Sequence, residues 1–353
     1  MENPLISVIL PCYNVGKFVG KCIKSIQKQT FQNYEIICID DCSTDKTLKV
    51  LENIAKIDKR IRIISHSINK GAAQARNTGV INSHGEYIAF IDPDDYINCD
   101  YLERLIEAAK NKNAELVITT GCTNFCGFYK KVSKFESKEI ELINTYKYEE
   151  ISDNLMKNFF GIHCFPAPVW GKLYKKTLFK DLPKVNVFYQ DDVLMNFYVF
   201  TKNLKTLTAI DYNGYNYRYG GGTSFREGYL IDNLEVYQIR RDYLLNSTLD
   251  IELKKLYLKY LLIELKNIFY EYVIRQIIHK VPKNEIEINL KTILSNPSVL
   301  DDIQDLSQKY ELNLSSQGFN AIFDKNVDLI ISLSKKRFPF KRKFLNFLTV
   351  INK

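Results

Sequence analysis

Residues 1–100 alternate short apolar runs with amphipathic segments, and this alternation limits the possible folds more sharply than anything else in the chain. Ile6-Ser7-Val8-Ile9-Leu10 has the pattern of a buried strand, ended by Pro11. Phe18, Val19, Cys22, Ile23 and Ile26 then recur at helical spacing. Glu35 to Ile39 reads as a second strand, stopped by Asp40 and Asp41. Ser43 and Thr44, with Asp45, read as the N-terminal cap of a helix carrying Leu48, Leu51, Ile54 and Ala55. A third strand follows at Ile61 to Ile64, a helix at Ala72 to Ile81, and a fourth strand at Tyr87 to Ile91. That last strand ends at Asp92-Pro93-Asp94-Asp95. Repeated strand–helix units of this length predict an α/β fold with a doubly wound, mostly parallel sheet. In such sheets ligands bind beyond the carboxyl ends of the strands, which is where this chain places its carboxylates.

Further along, Tyr101 to Lys112 reads as a helix and Ala114 to Thr120 as a strand. The pattern loosens over 121–190, with a helix-like stretch at 149–160 and a proline-containing segment at 163–168. From about Arg226 it becomes helical: Leu253, Leu256, Tyr257, Tyr260, Leu261, Leu265, Ile268 and Tyr272 form one wide apolar face. The expected organisation is an α/β domain over 1–225 and a helical C-terminal region over 226–353.

Composition narrows the class. The 353 residues are 46% apolar and 25% charged, as in soluble globular proteins. A formal net charge of +8 suits an anionic substrate or a membrane surface. Nucleic acid fits poorly, because no basic run is interleaved with stacking aromatics and the acidic clusters repel phosphate unless a cation intervenes. The eight cysteines lie largely in apolar runs as structural thiols; Cys122 and Cys126 have no second Cys or His pair at ligand spacing. No signal peptide pattern and no uncharged apolar stretch of membrane-spanning length is read, so a cytoplasmic protein is expected.

Two acidic clusters, Asp40-Asp41 and Asp92-Pro93-Asp94-Asp95, end two strands of one sheet. Gathering carboxylates costs several kcal/mol by repulsion and desolvation unless a cation or hydrogen-bond donors compensate. Hard oxygen ligands favour Mg²⁺ or Mn²⁺, ions that also bind diphosphate. The plainer reading for Asp94 and Asp95 is a solvated turn or helix cap.

Pro11-Cys12-Tyr13-Asn14 after the first strand, Asp40-Asp41-Cys42-Ser43-Thr44-Asp45 after the second, Gly71 to Gly79 (GAAQARNTG) and Asp92-Pro93-Asp94-Asp95 after the fourth resemble the motifs of glycosyltransferase family 2, in the family's order. The resemblance implies a GT-A fold, a nucleotide-sugar donor with uridine as its base, a divalent metal (Mn²⁺ or Mg²⁺), and inversion at the anomeric carbon. It makes 1–112 the nucleotide-sugar-binding half and 113–225 the acceptor half. It implies that Asp94 binds the metal, with Asp92 facing the ribose or the metal's waters, and that Asp41 accepts the uracil N–H. Pro11, Tyr13 and Asn14 would flank the nucleotide, and Arg76 would meet the nucleotide or its phosphates, a role that suits its fork of donors. Cys42 stands where the family commonly has Gly, in a turn that tolerates a side chain.

Val169-Trp170-Gly171-Lys172-Leu173-Tyr174, Gln190-Asp191-Asp192-Val193 and Tyr217-Arg218-Tyr219 resemble the Trp-x-Lys-Leu-Tyr, Glu-Asp-x-x and Tyr-x-Tyr-Arg elements of members that build bacterial capsule, surface polysaccharide or lipooligosaccharide. An inverting transfer needs a base to take the acceptor hydroxyl's proton. That role falls to Asp192 with Asp191 beside it, and the choice within the pair stays open because Asp191 replaces the family's Glu. Both residues also suit a plain helix N-terminus. Trp170, the single Trp, fits core packing and acceptor stacking equally well, and His163 reads as structural. Over 335–348 basic residues alternate with Phe and Leu, which suits peripheral contact with the inner face of the cytoplasmic membrane, near a lipid-linked glycan acceptor. The alternative there is a solvated helix face. Other functions compete less well. A sugar nucleotidyltransferase or a dinucleotide-dependent dehydrogenase would carry a Gly-rich loop after the first strand. A degenerate, non-catalytic sugar-nucleotide or glycan-binding protein would have no need of the acidic residues.

Overall fold

The computed structural model describes residues 3–126, 129–134, 145–147, 168–182, 191–218, 229–278, 280–295, 297–314 and 316–337. The chain divides into two compact units, Met1–Thr223 and Ser224–Lys353.

The first unit opens with β1 (Ile6–Cys12), α1 (Val19–Gln27), β2 (Tyr34–Asp40), α2 (Thr47–Ala55), β3 (Ile61–Ser65), α3 (Gly71–Ile81) and β4 (Tyr87–Phe90). There follow β5 (Tyr96–Ile97), α4 (Tyr101–Lys112), β6 (Leu116–Thr119), β7 (Gly121–Cys126), β8 (Tyr129–Lys134) and β9 (Thr145–Lys147). The unit closes with β10 (Lys172–Lys175), α5 (Asp191–Tyr198), β11 (Thr206–Ile210) and β12 (Tyr215–Arg218). The main sheet runs β3-β2-β1-β4-β10-β6-β11-β9. β1 through β4 pair in parallel, as the alternating pattern requires; helices cover the sheet and bury the isoleucines, valine and leucine of β1, β2 and β4, while Ile63 and Ile64 of edge strand β3 are partly buried. β10 is antiparallel to both β4 and β6, and so brings a segment from far down the chain into the middle of the sheet. A smaller sheet, β5-β12-β7-β8, stands beside it.

Two local expectations are corrected. β1 does not stop at Pro11 but continues to Cys12. The Ile9 carbonyl accepts from Ile91 N (3.1 Å) on the β4 side, so Pro11, two residues on, faces the same side. Pairing with β4 ends at Ile9↔Phe90, and beyond it no ladder bond asks for the N–H that proline lacks. Ser43 and Thr44 do not cap α2 either, since that helix begins at Thr47, whose amide is capped by Asp45 Oδ1 at 2.8 Å. They bind Asn14 instead: its amide donates to Ser43 Oγ (3.1 Å) and its Oδ1 accepts from Thr44 N (2.8 Å). Asp45 Oδ2 also accepts from Gly16 N (3.0 Å), so the loops after β1 and β2 are stitched into one rigid rim.

The glycines that bound GAAQARNTG have separate causes. Gly71 takes φ +83°, a left-handed start to α3, while a Cβ at Gly79 would lie 2.4 Å from Ile9 Cγ2 of β1. Helix and strand therefore approach closely, and α3 is held firmly enough to aim Arg76.

In the second unit, α7 (Ile251–Ile278) is central. α6 (Tyr229–Asn246), α8 (Lys283–Leu294), α9 (Pro297–Lys309), α10 (Gln317–Phe323) and α11 (Val327–Arg337) all touch it. Of the expected apolar face, Tyr257, Tyr260, Leu261, Leu265 and Ile268 are buried. Arg240 of α6 is buried and forks onto Glu264 of α7 at 2.8 Å on each oxygen, so its charge stays paired. Among the described residues no helix is long and apolar enough to cross a membrane. The helix-like stretch at 149–160, His163, and most of 335–348 lie outside the described residues.

Cys42, at the position where a Gly was anticipated, has φ +62°, a conformation that costs a side-chain-bearing residue about 1–2 kcal/mol. Cys42→Gly should therefore unfold at the wild-type temperature or above it. The β-branched Cys42→Val should unfold about 2–6 °C lower, measured by thermal unfolding.

Candidate active site

The site lies at the carboxyl ends of β1, β2 and β4, where the parallel topology leaves a crevice. Asp41, one residue past β2, is buried and each of its oxygens is engaged. Oδ1 accepts from Lys70 N (2.9 Å) and meets His66 Nδ1 (2.6 Å); Oδ2 accepts from Gly71 N (2.8 Å). His66 is fixed in turn by Thr78 Oγ1 at 3.0 Å through its other ring nitrogen. In this structure Asp41 thus anchors the start of α3. Pro11 is half-buried in β1, and Asn14 spends its acceptor on the loop after β2. Tyr13 is 48% exposed beside them, a ring open to a flat partner.

Arg76 is the hub. Projecting from the middle of α3 and 5% exposed, it donates through Nη2 to Asp92 Oδ1 (3.0 Å) at the end of β4. Through Nη1 it donates to Asp192 Oδ1 (2.6 Å) and to Asp191 Oδ2 at the start of α5. Burial works against its charge, yet Asp192, Asp191 and Asp92 outweigh burial and leave the guanidinium held more firmly protonated than usual. The family resemblance implies that Arg76 meets the nucleotide or its phosphates; in the structure, which holds no ligand, its partners are these three carboxylates. Its Nε is buried with no hydrogen-bond partner among the described residues.

One cation cannot balance this cluster. Burial, reinforced by the neighbouring carboxylates, pushes Asp92 up to about 6 against the pull of Arg76. It pushes Asp191 up to about 7 against the same pull. Asp95 rises to about 9, through burial with Asp92 and Asp94 beside it.

The acidic tetrapeptide divides by orientation. Asp95 turns inward, Oδ2 accepting from Tyr215 OH (2.8 Å) and Oδ1 from Arg218 N (2.6 Å), which ties β12 to the end of β4. Asp94 is half-buried; its carboxylate is engaged by its own backbone amide and feels the charge of Arg218, whose side chain donates to the Asp94 carbonyl (3.0 Å), but no hydrogen bond or ion pair joins that carboxylate to another described residue. Asp94 and the second oxygen of Asp92 are therefore the oxygens free for a hard cation. No group of three His, Cys, Asp or Glu side chains among the described residues converges as a metal cage. Two carboxylates fit Mg²⁺ or Mn²⁺, ions usually held by one or two carboxylates with the rest of the shell from phosphate and water.

Asp191 and Asp192 occupy the first turn of α5, where the helix dipole favours anions. Asp192 is the more open, its side chain 24% exposed against 12% for Asp191. Its Oδ2 accepts from Val169 N at 3.3 Å. Trp170 is buried, stacked on Tyr215 (4.5 Å, 9°) and Tyr217 (5.3 Å, 24°), so it packs in the core.

Three contributors escape pattern reading. Lys172 enters the sequence analysis only as a motif letter, yet it is wholly buried in β10, and burial pushes its ammonium down to about 7 against the pull of Asp192. The one local signal was a lysine in an otherwise apolar strand-like run. His66 and Tyr215 contribute through contacts far apart in sequence, which leave no local signal.

With this geometry in view, the likeness to known proteins is specific. The glycosyl transferase family 2 model matches residues 7–182. The glycosyltransferase GlyG of Streptococcus pneumoniae serotype 4 is 33% identical over 233 residues, covering 64% of this chain and 74% of GlyG. EpsJ of Bacillus subtilis (strain 168), an uncharacterized glycosyltransferase, is 35% identical over 193 residues, covering 54% of this chain and 52% of EpsJ. The chain thus spans about half of EpsJ's length. Among solved structures, S. aureus TarS 1-349 in complex with UDP-GlcNAc superposes with a TM-score of 0.66 at 21% identity, covering 94% of this chain and 91% of that one. The chain belongs to glycosyltransferase family 2, and its fold is of the GT-A type with helices in the C-terminal part.

The raised carboxyl groups dictate a pH dependence. Asp92, Asp95 and Asp191 bind protons more tightly folded than unfolded, so their contribution to stability is complete only below their ordinary value of 3.8. It is lost as pH rises through about 6 and about 7. The unfolding midpoint of the wild type should fall between pH 4.5 and 7, measured by calorimetry, and Asp191→Asn should flatten that fall.

Proposed function

We propose that this protein is a metal-dependent, inverting glycosyltransferase that moves a hexose or N-acetylhexosamine from a UDP-sugar to a hydroxyl of a glycan acceptor. The observation that carries the reading is the Arg76 hub. It gathers a carboxylate from the end of β4 with two from the start of α5, while Asp94 is left open beside them.

The roles follow from position. Tyr13 offers an exposed ring for the base, on a rim stiffened by Asn14, and Asp41 sets the start of α3 behind it. Asp94 with the free oxygen of Asp92 would hold Mn²⁺ or Mg²⁺, which supplies the positive charge a departing diphosphate needs. Asp192, the more open of its pair, takes the proton from the acceptor hydroxyl as that oxygen bonds to the anomeric carbon. The bond from that carbon to the diphosphate oxygen breaks, and the electron pair leaves on UDP. A single displacement of this kind inverts the anomeric carbon. Arg76 keeps the three carboxylates from repelling one another while remaining close to the leaving group. TarS, crystallised with UDP-GlcNAc on the same type of fold, supports uridine as the first nucleotide to test.

A degenerate, non-catalytic binder is the reading this arrangement favours less, because an open Asp94 and a solvent-reached Asp192 serve no packing purpose. Peripheral contact of 335–348 with an anionic membrane belongs to the same proposal and rests on the basic, aromatic pattern there. It predicts co-sedimentation with anionic vesicles at low salt, lost at high salt.

The test is nucleotide release from purified protein over a panel of UDP-, dTDP- and GDP-sugars, with and without Mn²⁺. Release is expected from a UDP-sugar, dependent on the metal. Asp94→Ala should lose both turnover and metal-dependent nucleotide binding, and Asp192→Asn should bind donor normally while turnover falls at least about a hundredfold. Neither metal-dependent release nor metal-dependent nucleotide binding anywhere in the panel would favour the non-catalytic reading.

A further inference from the structure

We infer that Lys172 is a positioning residue for the base. It clasps the segment 168–170 so that the Val169 amide holds the Asp192 carboxylate in the orientation from which it takes the acceptor proton. The inference rests on the reading of Asp192 as the base.

Lys172 sits in the sheet interior, paired with Ile118 of β6 and fully buried. An ammonium there costs several kcal/mol in desolvation, and a Met or Leu would fill the volume without that cost. Its Nζ donates to Pro168 O, closing a turn over the four preceding residues. The same segment is held at three further points. Tyr174 OH donates to Asn196 Oδ1 of α5 (2.7 Å) and reaches Val169 O at 3.4 Å. Trp170 is stacked on Tyr215 and Tyr217. Gly171, at φ +75°, accepts Thr119 N at 2.9 Å. So tethered, the segment presents the Val169 N–H to Asp192 Oδ2 at 3.3 Å, while Arg76 holds Oδ1 at 2.6 Å. With one donor on each oxygen the carboxylate plane is fixed, and its remaining lone pairs are left for the acceptor.

Charge reinforces the geometry. Among the described residues the ionisable groups around Asp192 are Arg76 from α3, Asp92 from the end of β4, Asp191 from its own helix, and Lys172 and Tyr174 from β10. Lys172 and Arg76 are the cations among them, and the Asp192 charge favours the protonated form of each. Removing the lysine charge takes a cation from beside the base, which should move the acidic limb of the pH–rate profile to higher pH.

The experiment compares the full chain with Lys172→Met and Lys172→Gln, reading UDP release from the UDP-sugar that the wild type turns over, as kcat and KM across pH. Mn²⁺-dependent UDP binding and thermal unfolding are read alongside. Lys172→Met is expected to keep nucleotide binding and donor KM within about twofold, to lose about ten- to a hundredfold in kcat, and to shift the acidic limb upward. Lys172→Gln restores a donor toward Pro168 O but no charge, so it should recover part of kcat and keep the shifted limb. If the Met variant does not fold, the Gln variant decides by its limb. Wild-type kcat and an unmoved limb in a folded Lys172 variant, with Asp192→Asn inactive, overturn this proposal alone. Wild-type turnover by Asp192→Asn overturns the base assignment and this proposal with it.

Discussion

The rest of the site depends on one guanidinium. Arg76 reaches Asp92 and the Asp191–Asp192 pair, side chains that begin 16 and 115 residues away in sequence, and among the described residues it makes all of their ion pairs. Removing one partner from a buried ion cluster typically costs about 3–5 kcal/mol, because the charge left behind has no water to return to. Arg76 can hold this position only because α3 is itself fixed. Asp41 accepts the first amides of the helix, Gly71 starts it in a left-handed conformation, and Gly79 lets it lie against Ile9. The motif GAAQARNTG is thus a device for aiming one side chain.

The acidic residues look alike in sequence and differ in the structure by what each oxygen touches. Asp41 and Asp45 serve backbone amides of loops and helices, Asp95 ties β12 to β4, and Asp92, Asp191 and Asp192 share Arg76. Asp94 alone in the tetrapeptide keeps its carboxylate open. Burial, reinforced by the neighbouring carboxylates, outweighs the pull of Arg76 and raises the proton affinity of Asp92 and Asp191. A cluster short of positive charge is suited to receive a cation together with an anionic ligand.

Much of the first half was legible because its signals are local. Helical and strand periodicities over 6–112 correspond to β1–β4 and α1–α4, and α4 spans the predicted Tyr101–Lys112. Partnership was less legible where it depends on distant chain. Pro11 continues its strand because β4 happens to end beside it, and Ser43 and Thr44 bind Asn14 across the crevice rather than α2. Trp170 is consumed by Tyr215 and Tyr217, and Lys172 gains meaning only once β10 is seen inserted antiparallel between β4 and β6. Resemblance to family motifs named the acidic residues; it could not say that Arg76 joins them.

The measurement that tests this account most directly is the anomeric configuration of the transferred sugar, read by proton NMR of the fresh product. A single displacement with one carboxylate base at the start of α5 predicts a product whose anomeric configuration is opposite to that of the donor. A product that keeps the donor's configuration would contradict the account, since no single in-line attack on this geometry yields it.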